Sequence, residues 1–125
     1  ENREQLYDIL LMMARVIAVK LSNPLYLSIL RIVFAESVRF PELGELLLES
    51  FPKSTGRLTD LLKKCKETGL VKLEDGDVEI SMRMFVGPLI SHAFSSGLLS
   101  GASTPEPMPE EDLKRLCRIY AESVT

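Results

Sequence analysis

Residues 31–52, RIVFAESVRFPELGELLLESFP, begin as a nearly all-apolar helix, meet a proline at Pro41 and another at Pro52, and resume an apolar helical spacing after each. Pro41 biases Phe40 away from helical backbone angles, so one helix must end before it. Pro52 removes one ladder hydrogen bond and crowds the preceding turn, which predicts a helix over 42–68 that is folded at this point. Prolines that end or bend helices while the apolar pattern continues let short segments wrap around a central helix. The irregular gaps left where such helices diverge are candidate pockets.

Working outward, the segment 3–21 carries two apolar stripes. Leu6, Leu10, Met13 and Ile17 form one at helical spacing, and Ile9, Met12, Val16 and Val19 form a second. A helix apolar on most sides is expected to be enclosed by others, so this one is assigned to the middle of the domain. The next helix opens at Ser22-Asn23-Pro24, a capping residue followed by a proline at the first helical position. Its polar face is read as Ser28, Arg31 and Arg39, with Ile29, Leu30, Val33 and Phe34 opposite. Beyond Pro52, the residues Phe51, Leu58, Leu61, Leu62 and Cys65 carry the apolar stripe of the third helix, and Gly69 is a natural stop. After the extended stretch 70–77 a fourth helix is predicted over 77–99, bent at Gly87-Pro88. Residues 100–109 read as a proline-rich loop. The last helix starts with Glu110, Glu111 and Asp112, negative charge at the positive end of the helix dipole. Leu113, Leu116, Cys117, Tyr120 and Val124 then form a single stripe. The expected architecture is all-α, five to six helices in one domain spanning residues 1–125, with no internal repeat.

Composition agrees with a globular chain: 125 residues, 46% hydrophobic and 26% charged, enough for one ordinary core. A net charge of −3 gives no general attraction to nucleic-acid phosphates, although residues 53–66 are locally basic. Cys65 and Cys117 lie far apart among apolar helical positions, which reads as two buried thiols in a reducing, cytoplasmic compartment rather than a disulfide. The apolar run ILLMMA at 9–14 is interrupted by Arg15 and Lys20, too short for a membrane span, and no signal-peptide pattern precedes it. The chain starts with Glu1 rather than Met, so a preceding segment is expected.

Catalytic chemistry finds little support. There is one histidine, no metal-ligand spacing, no glycine-rich phosphate loop and no G-x-S-x-G nucleophile motif, so neither an enzyme nor a cofactor is expected. A winged-helix DNA reader is the alternative for residues 53–80, with helix 54–67 in the major groove and a hairpin at 70–80 turning on Asp75-Gly76. Against it, the wing tip EDGD would be repelled by phosphates, and Leu58, Leu62 and Cys65 leave few side chains free to read bases.

The order NPLYLSILRIVFAESVRFPELGELLLESFPKSTGRLTDLL, then ETGLVKLEDGDVEISMRMFVGPLISHAF, a proline-rich loop and a short final helix resembles the C-terminal regulatory domain of TetR-family transcriptional repressors. The stretch RIVFAESVRFPELG carries most of the likeness. The helix-turn-helix domain that such repressors place at the N-terminus has no counterpart here. The resemblance implies the sensing half of a repressor, with operator DNA reached only through that missing domain; no membrane contact is expected, since no apolar run is long enough to span one.

It also implies a homodimer and a small hydrophobic effector. The effector would enter among the first four helices, shift their packing and alter the spacing of two DNA-reading heads. Met13, Ile17, Phe34, Leu62, Phe85, Leu89 and His92 are the expected pocket lining, a mostly apolar set with one titratable group. Met12, Met82 and Met84 would add adaptable surface, although methionines serve equally as core filler. The dimer interface is expected on Gly87, Ser91 and Phe94 of the fourth helix and on Leu113, Leu116, Cys117 and Tyr120 of the fifth. Small residues would admit a partner helix, and the fifth helix has a stripe larger than simple docking requires. For each of these faces the competing reading is ordinary packing or solvent exposure, and for His92 a partly exposed or internally satisfied histidine.

Overall fold

The computed structural model describes the backbone of residues 2–99 and 106–125, with side chains throughout except at 48–55. Its described elements are α1 (Arg3–Leu21), α2 (Pro24–Glu36), α3 (Pro41–Glu67), α4 (Asp77–Ala93), a π-helical turn (Phe94–Leu98) and α5 (Glu110–Val124). The local signals explain most of the boundaries. Asn2 caps α1 through a capping box with Gln5, and Asn23 caps α2 by accepting from the Leu25 and Tyr26 amides. At the end of α3, Leu70 N bonds Cys65 O and Gly69 N bonds Lys66 O, the paired closure of a Schellman motif. Gly69 has φ +82°, a conformation that a Cβ disfavours, although nothing lies near enough to clash with one. Gly69→Ala is therefore expected to cost about 1 kcal/mol through backbone strain alone, read as a lower urea midpoint with unchanged slope.

The interior falls into two clusters. The larger joins α1, the C-terminal half of α3, α4 and α5 through Leu6, Leu10, Leu62, Phe85, Leu89 and Cys117. α5 lies chiefly along α1. Leu27, Leu30 and Leu98 form the smaller cluster, with Tyr26, Leu47 and Phe94 packed on it. Thus α2 is attached mainly to the first half of α3 and to the π-turn, and only lightly to α1.

α3 runs as one helix from Pro41 to Glu67, through Pro52, close to the helix expected over 42–68. Other expectations change. Phe51 and residues 100–105 of the proline-rich loop lie outside the described side chains and backbone respectively. α1 is not enclosed on every side, because Met12, Val16 and Val19 stand on a solvent-facing stripe. On α2 the faces also differ from the reading above. Leu27 and Leu30 are buried and Leu25, Ile29 and Ile32 are exposed. Arg31 is half-buried, donating from Nε to the Leu98 carbonyl at 3.0 Å and from Nη2 to the Gly97 carbonyl at 2.6 Å. A π-turn leaves its last carbonyls without ordinary helical partners, and this guanidinium satisfies two of them.

The helical run continues through Gly87 and Pro88 to Ala93 and passes into the π-turn, where Leu99 N bonds Phe94 O. Residues 70–76 form no hairpin, and 77–80 are the first turn of α4. Asp75 instead pairs with Lys66, and Lys72 N bonds Val124 O. Residues 53–80 therefore form no wing of the kind the DNA-reading alternative requires. Among the described residues no single helix is long and apolar enough to cross a membrane; α1 and α2 meet the composition only as a pair, bent by 69° at the break between them.

Candidate functional site

α4 is the element on which both expected surfaces meet, because its two faces differ in kind. Val78, Met82, Phe85, Val86 and Leu89 point into the larger cluster. Ile80, Met84, Gly87 and Ser91 recur at i, i+4, i+7 and i+11 on the opposite side. There Ile80 is 60% and Met84 61% exposed, and a Cβ built on Gly87 meets nothing within 4 Å. The face is apolar, uncovered and has open space at its middle.

The expected pocket residues do not all converge. Leu62, Phe85 and Leu89 are buried in the larger cluster, and Met13 and Ile17 pack against it half-buried. Phe34 is elsewhere, 45% exposed, with its ring edge-on to Phe94 at 6.0 Å beside the smaller cluster. Leu62 and Phe85 are enclosed at 0% exposure, so they act as packing in this state. Leu89 and His92 do line a cavity, together with Ala18, Leu21 and Ser22 of the α1 end, Ala93, and Glu106, Pro107 and Met108. Its volume is about 10 Å³, room for roughly one water. His92 Nε2 lies 3.0 Å from the Glu106 carbonyl, so its polar end already has a partner.

The expected interface residues also divide. Gly87 and Ser91 stand on the outer face of α4. Phe94 belongs to the smaller cluster. Leu113, Cys117 and Tyr120 are buried against the chain's own core and cannot reach a partner while the protomer is intact; Leu116 packs on the edge of that core. The stripe that looked too large for docking is consumed by α1. Sequence reading placed none of Ile80, Met84 and Ile119 at an interface, and all three are exposed. The signal for the first two was present, since they continue the Gly87 and Ser91 register toward the N-terminus.

Between α4 and α5, Ser81 Oγ and Tyr120 Oη share a buried hydrogen bond of 2.6 Å, and the Tyr120 ring lies 4.9 Å from that of Phe85. Burial raises the Tyr120 phenol, opposed by the bond from Ser81. Among the described residues no buried side-chain nitrogen or oxygen lacks a partner, so no polar group is left waiting for a ligand inside. Nor do any three His, Cys, Asp or Glu side chains gather there as metal ligands would.

Burial also pushes the Cys117 thiol up to about 11 from its ordinary 9.0. The unfolded thiol therefore ionises first. Its contribution to stability is fully present below pH 9 and is lost as pH rises through 11. Between those limits the protein is expected to lose about 2–3 kcal/mol more than Cys117→Ala does, measured by urea unfolding at stepped pH.

Residues 8–119 match the family described as AefR-like transcriptional repressor, C-terminal domain. No curated protein and no solved structure matches the chain at a significant level.

Proposed function

From the premise that the chain belongs to the TetR family of transcriptional regulators, as an AefR-like C-terminal domain, we propose that it senses a small hydrophobic effector and dimerises, relaying the effector's presence to a DNA-reading domain outside this sequence. The observation that carries the sensing half is the divided interior. α2 and the π-turn form their own small cluster, tied to the rest by α4 and by the first half of α3. Two clusters that meet along one continuous helix can shift against each other without either being dismantled, and a ligand preferring one arrangement moves the balance. Dimerisation draws on the uncovered α4 face. Two copies of Ile80, Met84 and Gly87 meeting about a two-fold axis would cover it.

The test is a thermal-shift screen of hydrophobic compounds carrying one polar group. A true effector at a hundred times its dissociation constant stabilises the fold by about 2.7 kcal/mol, a rise of several degrees. A chemically broad panel with no stabilising member counts against sensing. Tight, salt-sensitive binding of duplex DNA by this chain alone would replace the reading with a direct DNA contact.

A further inference from the structure

Residues 106–108 lie against the C-terminal ends of α1 and α4. Glu106 offers its backbone carbonyl to His92 Nε2 at 3.0 Å. The Ser96 hydroxyl, bonded to the His92 carbonyl at 2.7 Å, stands 3.4 Å from the same Glu106 oxygen. Two residues later Met108 packs against the larger cluster, in a space walled by Ala18, Leu21, Leu89 and Ala93. Two of those walls are alanines, which makes room for a flexible chain. Met108 is half-buried there and lines what space is left, about 10 Å³.

These contacts amount to a hydrogen-bond acceptor held at one end and an unbranched apolar chain inserted at the other. We propose that Glu106 to Met108 occupy the effector's own position, and that the effector is a short linear apolar molecule ending in an acceptor such as a carboxylate or an amide carbonyl. The inference rests on the effector-sensing reading and names the ligand class for it. Methionine suits a removable occupant, because its three rotatable bonds let it leave without disturbing neighbours. Pro107 and Pro109 flank it and carry no amide hydrogen, so the strap can swing out without stranding donors at those two positions. Displacement has a route outward. Met108 lies two residues before Glu110, which is ion-paired with Arg15 of α1, so a ligand in this space acts on the seam between α1 and α5.

The test is calorimetric titration with sodium octanoate and with octylammonium chloride, which share a chain and differ in the head. The net charge of −3 favours the cation in any nonspecific encounter, so a preference for octanoate must come from a site. Met108→Ala is expected to bind octanoate at least tenfold more tightly than the parent protein does, and at least tenfold more tightly than it binds octylammonium. Adding His92→Leu should erase the head-group preference and leave the chain contribution. Pro107→Gly, which loosens the strap and leaves the walls intact, should raise octanoate affinity in the same direction and serves if Met108→Ala unfolds. Octanoate affinity within twofold of the parent in both strap variants overturns the proposal, as does a Met108→Ala protein that accepts both heads equally. If a broad apolar panel stabilises the parent and strap variants alike, the strap assignment fails and effector sensing stands. If the panel ignores all of them, both fail.

Discussion

Phe85→Ala is expected to lower the melting temperature by about 10–20 °C. Phe85 is fully enclosed on α4, its ring set against that of Tyr120, which in turn holds Ser81 across the α4–α5 contact. Removing a buried phenyl ring costs about 3–5 kcal/mol in lost transfer energy and residual cavity. In a chain of this length each kcal/mol moves the midpoint by roughly 3–5 °C. The tilted aromatic contact is lost as well, worth about 0.5–1.5 kcal/mol and already partly counted in the truncation. The result separates two roles. A side chain lining an open pocket already lacks neighbours on one side, so trimming it destabilises little and mainly weakens binding. A melting shift below about 3 °C would therefore return Phe85 to the pocket wall that its helical position first suggested. A large shift fixes it as core in the unliganded protein.

That ambiguity shows what the sequence could and could not convey. Helix boundaries were legible wherever one residue decides them: Asn23 and Pro24 at the start of α2, Gly69 at the end of α3, and the acidic first turn of α5. Periodicity told which face of α5 is buried, because Leu113, Cys117 and Tyr120 recur at helical spacing. It could not tell what buries them, and α1 turned out to supply the cover rather than a second chain. The same limit applied to α1, where Met12, Val16 and Val19 form as good an apolar stripe as Leu6, Leu10 and Met13 but face solvent. Arg31 was misplaced for a different reason. Its partners are backbone carbonyls of a π-turn, and no residue pattern announces that turn. Met108 could have drawn notice as an apolar residue between two prolines in a polar loop, yet the α1 and α4 side chains around it are distant in sequence. Long-range packing decides the site, and single-sequence patterns report only local faces.

The second large effect concerns the outer face of α4. The chain is expected to sediment as a dimer at micromolar concentration, and Met84→Glu to weaken that dimer on the order of a hundredfold or more, equivalent to roughly 3 kcal/mol. An isologous interface presents each substitution twice, so two carboxylates would approach each other near the symmetry axis. Each would also lose water to an apolar surface, at a cost of several kcal/mol unless the dimer separates. The protomer itself should tolerate the change. Met84 is 61% exposed within the chain, so melting of the dissociated protein at high dilution should stay within about 1 kcal/mol of the parent. Leu25→Glu on the exposed stripe of α2 provides the control, placing the same charge on a comparably apolar surface. If Leu25→Glu dissociates the dimer and Met84→Glu does not, the interface lies over α2 and the uncovered face of α4 must have another explanation. If the parent is monomeric at micromolar concentration, neither face pairs two copies of this chain by itself. If only Met84→Glu separates the subunits, the open space before Gly87 is where the partner's helix lies.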